Sequence, residues 1–370
     1  MPRITLTNVT KQWGKFTAVN NLNLEIEDGS FITLLGSSGC GKTTTLRMIA
    51  GLETPTRGEI RFDDRIMFSS EKNINIPAAR REVGFLFQNY ALWPHMTVWQ
   101  NIAFGLETQK WKKSDIQARV AEMLKTLKIE QFAERYPAEL SGGQQQRVAI
   151  ARTLAPKPRV LFMDEPLSNL DAKLRGEMRT ELKRLHRDMG STFVYVTHDQ
   201  LEAMTLSTKI CLMNEGVLQQ YAPPLTVYNN PANLFVADFV GNPAMNIISA
   251  KARQLSANTA ELDFLGCKAV FHANEDFGLN SENISLGIRP EFLPISDHGD
   301  LEGLAYSTLP AGMETTVKIK IADEILSSVV FGAIDYETDA RIRFSIHGAG
   351  ILLFGHDSGQ LITSGRISIQ

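Results

Sequence analysis

The sequence predicts an α/β domain over residues 1–240, followed by an all-β domain over residues 241–370. In the first part, a glycine-rich motif running from Gly36 to Thr43 lies between an apolar run and a helical run. Further apolar runs, typical of buried parallel strands, then alternate with helical stretches. From Ile247 onward the pattern changes to short alternating strands without a strong helix. That change indicates a small antiparallel barrel or sandwich.

The composition is that of an ordinary globular protein, with 43% hydrophobic and 21% charged residues in a chain of 370. The net charge of −3 provides no basic field for nucleic acid. No apolar run is long enough to span a bilayer, and the N-terminus lacks the apolar core of a signal peptide. Cys40, Cys211 and Cys267 form no paired framework and no C-x-x-C motif. This favours a reducing cytosol and argues against a zinc site.

The glycine-rich motif fits the phosphate-binding pattern G-x-x-x-x-G-K-[ST], as Gly36-Ser37-Ser38-Gly39-Cys40-Gly41-Lys42-Thr43. A predicted strand at 30–35 precedes it, and a predicted helix at 44–50 follows it. Backbone N–H groups and the positive end of that helix would therefore face bound phosphates. We expect Lys42 to reach the β- and γ-phosphates and the Thr43 hydroxyl to bind Mg²⁺.

Periodicity predicts the remaining elements in order along the chain. Strands are expected at 4–9, 21–26, 56–62, 81–87, 192–197, 316–321 and 340–346, with a hairpin at 209–213 and 216–220. Helical patterns are expected from 97, over 113–136, over 147–154 and between 224 and 241. The pattern over 113–136 is that of an amphipathic surface helix.

Two adjacent carboxylates, Asp164 and Glu165, end another apolar run, which begins at Arg159. A buried parallel strand of this kind delivers acidic groups to a Mg²⁺ at its carboxyl end. Because neighbouring side chains on a strand point in opposite directions, only one of the pair is expected to hold the metal. We assign the metal to Asp164, directly or through water, and the activation of the attacking water to Glu165.

Three further candidates remain open on spacing alone. Trp13 lies in a loop ahead of the glycine-rich motif and could stack on a base, but a packed surface Trp is the favoured interpretation. The Ser141-Gly142-Gly143 turn before a helix could bind an anion, although Gly-Gly turns are common. His198 follows the strand at 192–197 and could reach a γ-phosphate, but a lone His is more often structural.

Taken together and in order, these motifs resemble the ATP-binding cassette (ABC) subunits of importers over residues 1 to about 240. The resemblance places Trp13 at the adenine-stacking position, the motif from Gly36 to Thr43 at the Walker A motif, and Gln88 at the Q-loop. It also places Leu140-Ser141-Gly142-Gly143-Gln144 at the family signature and Asp164-Glu165 at the Walker B motif. Ser168-Asn169-Leu170-Asp171 is similar to the D-loop, and His198 to the switch histidine.

The resemblance implies a P-loop NTPase cassette with a helical subdomain at about 89–155, with ATP and Mg²⁺ as cofactors. The residues implied in nucleotide binding are Trp13, Ser37, Ser38, Gly39, Cys40, Gly41, Lys42, Thr43, Thr44, Gln88, Ser141, Gly142, Gly143, Gln144 and Asp171. Those implied in catalysis are Glu165, His198, Gln88 and Lys42, and those implied at the metal are Thr43, Gln88 and Asp164.

The family also implies a head-to-tail homodimer, in which Ser141 and Gly143 of one copy close over the γ-phosphate bound by the other. Two such copies would sit under two transmembrane permease subunits, fed indirectly by a solute-binding protein. The expected location is peripheral, on the cytoplasmic face of the inner (plasma) membrane. No nucleic-acid partner is implied.

The C-terminal part is similar to the regulatory region of the sugar-importer branch. The segments that carry this likeness are 229–237, 241–246 and 286–291, the last belonging to an OB-like, TOBE-type barrel. The barrel could bind a regulatory protein or metabolite, or only steady the dimer. The alternatives are an importer of iron, polyamine, sulfate or molybdate, an exporter subunit, and a non-transport cassette of DNA repair or translation. The absence of a coiled-coil insertion or a second cassette argues against the last.

Overall fold

A computed structural model describes residues 2–370, which form two compact units, one ending at residue 224 and the other covering 225–370. The boundary predicted near residue 240 falls within the second unit. There, Arg289 donates hydrogen bonds to the carbonyl oxygens of Ala237 and Val240, at 3.2 Å for Ala237. No helix among residues 2–370 has the length and apolar character needed to cross a membrane.

Eleven strands lie in the described part of the first unit, up to residue 224. They are β1 (Ile4–Trp13), β2 (Phe16–Ile26), β3 (Phe31–Leu35), β4 (Arg57–Phe62), β5 (Arg65–Ser69), β6 (Ile74–Asn75), β7 (Val83–Leu86), β8 (Val160–Asp164), β9 (Thr192–Val196), β10 (Lys209–Asn214) and β11 (Val217–Ala222). Its helices are α1 (Lys42–Ala50), α2 (Val98–Thr108), α3 (Lys113–Thr126), α4 (Gly142–Leu154), α5 (Ala172–Met189) and α6 (Gln200–Leu206).

A six-stranded sheet in the order β11-β10-β3-β9-β8-β7 forms the centre of this unit. Its strands from β10 to β7 are parallel, and β11 pairs with β10 in the antiparallel sense. Strands β3, β8 and β9 are buried along their whole length, which explains their continuous apolar sequences. A second, antiparallel sheet has the order β2-β1-β4-β5-β6.

Side chains alternate between the two faces of the central sheet. On β9, Phe193 and Tyr195 belong to one hydrophobic cluster, together with residues of α2, α3, α4 and α5. Val194 and Val196 belong to a second cluster, shared with α1 and the antiparallel sheet. Because β3, β8 and β9 are parallel neighbours, the loops after them lie at one edge of the sheet. These loops carry the glycine-rich motif, Glu165 and His198.

Several predicted boundaries differ from the structure. The helix predicted over 113–136 ends at Thr126, and short 3₁₀ turns follow it. The predicted Ser-Gly-Gly turn is wrong beyond Ser141, because α4 already begins at Gly142. Helix α5 was not predicted. Only Met178, Leu182 and Leu185 of its 18 residues are buried, so its apolar stripe is narrow among charged residues.

Two short helices, α7 (Pro224–Asn229), which starts at the last residue of the first unit, and α8 (Leu234–Phe239) occur where one helical stretch was expected. The strands of the second unit are β12 (Asn246–Gln254), β13 (Thr259–Phe264), β14 (Cys267–Ala273), β15 (Asn283–Ile288), β16 (Leu301–Pro310), β17 (Glu314–Ile321), β18 (Glu324–Phe331), β19 (Arg341–Phe344), β20 (Ile351–Gly355) and β21 (Leu361–Ile369). A closed barrel, β12-β13-β14-β21-β20-β15, accompanies a four-stranded sheet, β18-β17-β16-β19. The all-β prediction for this part is confirmed.

Candidate active site

The glycine-rich loop is held tightly between β3 and α1. A β-carbon at Gly36 would lie 2.2 Å from the Met213 carbonyl oxygen, and one at Gly41 would lie 2.4 Å from that of Ala18. Gly41 also adopts a left-handed φ of 101°. Larger residues are therefore excluded at both positions. No side chain caps the start of α1, and its first turn carries no acidic residue. Its N–H groups are thus available to an anion.

Lys42 lies along this loop. Its Nζ donates hydrogen bonds to the carbonyl oxygens of Gly36 at 2.9 Å and Ser37 at 2.7 Å. Lys42 is only 5% exposed, so its charge is held inside the loop. A phosphate bound there would exchange these neutral carbonyl partners for negatively charged oxygens, and charge-assisted hydrogen bonds are the stronger kind.

Thr43 and Asp164 meet where the loop and the end of β8 come together. The Thr43 hydroxyl donates to Asp164 Oδ1 at 2.7 Å, and Arg47 lies 3.4 Å from Asp164 Oδ2. A hydroxyl and a carboxylate fit the oxygen preference of Mg²⁺. Among residues 2–370, no group of three or more His, Cys, Asp or Glu side chains could hold a metal. A Mg²⁺ here would therefore take most of its ligands from water and phosphate.

Glu165, His198 and Gln88 converge beside this pair. The Glu165 carboxylate lies 3.3 Å from His198 Nδ1, and Gln88 Nε2 lies 3.5 Å from the same carboxylate oxygen. Glu165 has a left-handed φ of 45°, and its N–H donates to the Val196 carbonyl oxygen at 3.1 Å. The backbone thus turns at Glu165 and separates its side chain from that of Asp164. Gln88, Glu165 and His198 thus lie close together, which their spacing in the sequence did not show.

Gln88 also has a contact that sequence reasoning missed. Its Nε2 lies 3.4 Å from Ser168 Oγ, and the Ser168 hydroxyl donates to the Glu165 carbonyl oxygen at 2.9 Å. Arg47, beside Asp164, was missed as well. The feature of the sequence that could have indicated Arg47 is its position as a basic residue one helical turn after the glycine-rich motif.

Trp13 lies at the tip of the β1–β2 hairpin. The residue is 46% exposed, and its ring stacks on Phe16 with centroids 6.3 Å apart and an angle of 5° between the planes. The ammonium of Lys11 lies 5.2 Å from the centroid of Trp13. Further along β2, Ala18 approaches Gly41 closely. An exposed aromatic pair therefore lies a few residues along the chain from Ala18, which approaches the phosphate loop.

The signature residues form a helix cap. The Ser141 N–H donates to Gln144 Oε1 at 2.9 Å, and the Gln144 N–H donates to Ser141 Oγ at 3.4 Å. These reciprocal bonds stabilise the start of α4. Asp171 caps α5 in a similar way, through a 3.0 Å bond from the Leu174 N–H. The polar groups of Ser141 and Gln144 thus bond each other and not residues of the phosphate loop.

A phosphate loop, a paired hydroxyl and carboxylate, and a glutamate beside a histidine define a nucleoside-triphosphate-hydrolysing enzyme of the P-loop class. The model of the ABC transporter family matches residues 19–168. The trehalose/maltose import ATP-binding protein MalK of Thermococcus litoralis is 49% identical over 294 residues, 79% of each chain. The chain belongs to the ABC transporter family and is one of its ATP-binding ATPase subunits. The predicted fold class and family are confirmed.

Two further comparisons agree with this assignment. The sn-glycerol-3-phosphate import ATP-binding protein UgpC of Brucella abortus is 39% identical over 366 residues, 96% of this chain and 98% of that protein. Among solved structures, an ATP-binding cassette described as a dimer in a post-hydrolysis state bound to ADP and Pi is 34% identical. It matches with a TM-score of 0.53 over 60% of this chain and 98% of its own.

Proposed function

We propose that this chain is the ATP-hydrolysing subunit of an importer for a sugar, an oligosaccharide or a glycoside. The observation that carries the proposal is the 49% identity with a trehalose/maltose import protein over 79% of the chain. The C-terminal segments similar to the sugar-importer branch support it. A phosphorylated polyol is the second candidate cargo, because the sn-glycerol-3-phosphate import protein matches 96% of the chain.

In the proposed reaction, water attacks the γ-phosphorus of ATP and ADP leaves. Lys42 binds the β- and γ-phosphate oxygens, and Glu165 orients the water and receives its proton. His198 contacts the γ-phosphate, and Gln88 contacts the water and, with Thr43 and Asp164, would also contact a bound metal. The Thr43 hydroxyl and the Asp164 carboxylate are the residues that would hold Mg²⁺, which neutralises charge on the phosphates when bound. Trp13 stacks on the adenine.

The proposed working unit is a head-to-tail homodimer. Ser141 and the N-terminus of α4 present an uncharged hydroxyl and helix N–H groups, which suit a γ-phosphate held by a second copy. Gly142, Gly143, Gln144 and Asp171 would lie at the same interface. Because ATP would then bind between the copies, it favours the closed dimer, and hydrolysis releases it.

A groove in the first unit is the proposed docking site for a permease subunit. It is a cavity of about 710 Å³, lined in part by Phe87, Trp93, Phe104, Arg152 and Pro156. Trp93 packs on Phe104 with ring centroids 4.3 Å apart, and the guanidinium of Arg152 lies 4.7 Å from the Trp93 ring. Such a half-exposed aromatic site suits an apolar helix end. Removal of the ring in Trp93→Ala should uncouple ATPase activity from transport.

We further propose that two copies of the chain bind two permease subunits at the cytoplasmic face of the inner membrane. A solute-binding protein would be an indirect partner. The C-terminal part, which we place at 241–370, would be a regulatory and dimerisation domain. Two experiments distinguish a domain that binds a regulatory protein or a metabolite from one that only stabilises the dimer. They are pull-down from cytosol and the oligomeric state of a truncated chain.

Two experiments test the proposed function. Glu165→Gln should bind ATP and accumulate as a nucleotide-trapped dimer with little turnover, and normal turnover would remove Glu165 from its role. Deletion of the gene should abolish growth on one or more sugars, in a panel of single carbon sources that includes sn-glycerol 3-phosphate. Loss on several sugars would indicate a shared ATPase. Normal growth on every carbon source, with a defect under iron, polyamine or sulfate limitation, would overturn the sugar assignment.

A further inference from the structure

A buried carboxylate that the proposed chemistry does not use lies behind the active site. Glu202, on α6, is 3% exposed. Its Oε2 accepts hydrogen bonds from the Tyr195 hydroxyl and the Thr197 hydroxyl, both at 2.7 Å. Burying a carboxylate is costly unless it is paired and hydrogen-bonded. The two hydroxyl groups at the end of β9 therefore offset part of the cost of burying the Glu202 carboxylate.

Arg175, on α5, connects this carboxylate to two loops. Its Nη1 lies 3.3 Å from Asp199 Oδ2, and its Nε lies 3.9 Å from Glu202 Oε1. Its Nη2 donates to the Leu170 carbonyl oxygen at 3.1 Å. Leu170 immediately precedes Asp171, the residue that caps α5. One guanidinium thus joins the segment before α5 to the segment that follows β9.

The same cluster fixes the backbone on both sides of His198. The Asp199 N–H donates to Thr197 Oγ1 at 3.0 Å, and the Glu202 N–H donates to Asp199 Oδ1 at 3.0 Å. The side chain of His198 is itself 61% exposed, and its imidazole contacts Glu165. The position of the imidazole therefore depends on how firmly its two neighbours are held.

We propose that Glu202 and Arg175 are positioning residues, which set His198 against Glu165 and couple that setting to the segment from Leu170 to Asp171. This inference rests on the proposed role of His198. In the proposed dimer, Asp171 lies at the interface with the second copy. Arg175 then transmits the arrangement of that interface to the imidazole that faces the γ-phosphate.

The charges in the cluster suit this role. Both hydroxyl groups donate to one oxygen of Glu202, and the guanidinium lies near the other, so the carboxylate acts as an acceptor in every contact. Burial raises the pKa of Glu202, and its hydrogen bonds from Thr197 and Tyr195 act in the opposite direction. Removal of the charge in Glu202→Gln leaves side-chain size unchanged, but it weakens the attraction for Arg175.

The test is a set of single-turnover and steady-state ATPase measurements on the full chain. We expect Glu202→Gln to lower kcat roughly tenfold to a hundredfold, since small displacements of a catalytic group have effects of this size. KM for ATP should stay within about twofold, because the hydrogen bonds and ion pairs of the cluster described above are not made to the phosphate loop. Tyr195→Phe removes one of the two hydroxyl donors and should have a smaller effect in the same direction.

A double-mutant cycle separates positioning from general stability. In a His198→Ala background, Glu202→Gln and Arg175→Met should cause little further loss of the single-turnover rate, because they act through the imidazole. The matched control is Arg119→Met. Arg119 is more buried than Arg175, at 7% exposed, and its guanidinium donates to the Leu154 and Ala155 carbonyl oxygens at the end of α4. That variant should lower Tm and leave kcat of the folded protein unchanged.

Each outcome bears on one of the two claims. If Glu202→Gln lowers the rate by the same factor with and without His198, or if it raises KM as much as it lowers kcat, the positioning role is wrong. If Glu202→Gln is fully active while His198→Ala is inactive, the positioning role alone is lost. If His198→Ala keeps wild-type turnover, the proposed function of His198 fails first, and the positioning role falls with it.

Discussion

The Thr43 hydroxyl donates a hydrogen bond of 2.7 Å to Asp164 Oδ1, although the two residues are 121 positions apart in the chain. The bond joins the first turn of α1 to the end of β8. It pairs the hydroxyl expected from the glycine-rich motif with the carboxylate expected from the strand end. The two oxygens that would bind a metal are therefore already adjacent. Arg47 lies beside the other oxygen of the Asp164 carboxylate.

This pairing predicts that Asp164→Asn loses the Mg²⁺-dependent part of ATP binding. The amide is a weaker ligand than the carboxylate, so the affinity for ATP with Mg²⁺ should fall at least about tenfold. The affinity in EDTA should stay close to that of the unmodified chain. Equilibrium binding of a fluorescent ATP analogue with and without Mg²⁺ measures both. Glu165→Gln is the control and should keep the stimulation by Mg²⁺. Equal losses under both conditions would contradict the assignment.

The loop lysine gives a second prediction. Within residues 2–370, the hydrogen-bond partners of Lys42 Nζ are loop carbonyls and the Cys40 thiol, so Lys42→Ala removes a positive charge that has no anionic partner there. A hydrogen bond to a charged group contributes about 1.5–3 kcal/mol. The Kd for ATP should therefore rise by roughly tenfold to a hundredfold, and kcat should fall as well. Isothermal titration calorimetry provides the measurement. An unchanged Kd would show that Lys42 does not contact the ground-state phosphates.

The sequence predicted the central strands well because their local signal is strong. Residues 192–196 are all β-branched or aromatic and residues 160–163 are all apolar, as is typical of strands buried on both faces. Helix α5 lacks such a signal, because its buried stripe is only Met178, Leu182 and Leu185. The Ser-Gly-Gly segment was misread because two glycines suggest a turn. Only the reciprocal Ser141–Gln144 cap shows that they begin a helix.

The sequence predicted which strand ends carry the residues of the candidate site. It predicted the contacts between these residues less well. Asp164 contacts Thr43 and Glu165 contacts His198, and the left-handed backbone at Glu165 separates the two side chains, whereas the sequence argument relied on alternation along a strand. The proximity of Glu165 and His198 depends on the order of β8 and β9 in the sheet. Strand order is a long-range property, which periodicity along one segment does not encode.

The two signature glycines differ in the space around them, which predicts different effects of the same substitution. A β-carbon at Gly143 would lie 2.2 Å from Leu174 Cδ2, whereas nothing lies within 4 Å of one at Gly142. Gly143→Ala should therefore displace Leu174 and destabilise the chain by about 1–3 kcal/mol. Gly142→Ala should be neutral or slightly stabilising, because Ala is the better helix former. Urea unfolding of both variants measures the difference. Equal stabilities would mean that Leu174 moves aside without cost.

The cysteines should react with alkylating reagents in a defined order. Cys40 is 2% exposed and Cys211 is fully buried, whereas Cys267 is partly accessible. Burial also raises the pKa of the Cys40 thiol, although Lys42 acts in the opposite direction. Less thiolate is then present at neutral pH, and the thiolate is the reactive form. N-ethylmaleimide should therefore label Cys267 first, as read by peptide mass spectrometry, and Cys267→Ser should remove that fast phase. Fast labelling of Cys40 would show that the phosphate loop opens in solution.

Acidification should destabilise the chain partly through His186. Its Nε2–H donates to the Gly29 carbonyl oxygen at 3.0 Å, and its ring packs against Phe31 and Phe193. Burial lowers the pKa of His186 from the ordinary value of 6.5, and the bond to Gly29 offsets part of this effect. The unfolded chain therefore binds a proton at this residue more readily than the folded chain does. The free energy of unfolding should fall as the pH drops through about 6.5, and this loss should stop below the folded pKa.

Tm measured at a series of pH values tests this relationship. His186→Phe keeps an aromatic ring against Phe31 and Phe193 but cannot take up a proton, so its Tm should fall less steeply on acidification than that of the unmodified chain. His95→Gln, at an exposed position, is the control for the loss of one histidine. The absolute Tm of His186→Phe will also reflect the lost bond to Gly29, so the comparison uses the slope with pH. Identical slopes for His186→Phe and the unmodified chain would exclude His186 as a source of acid sensitivity.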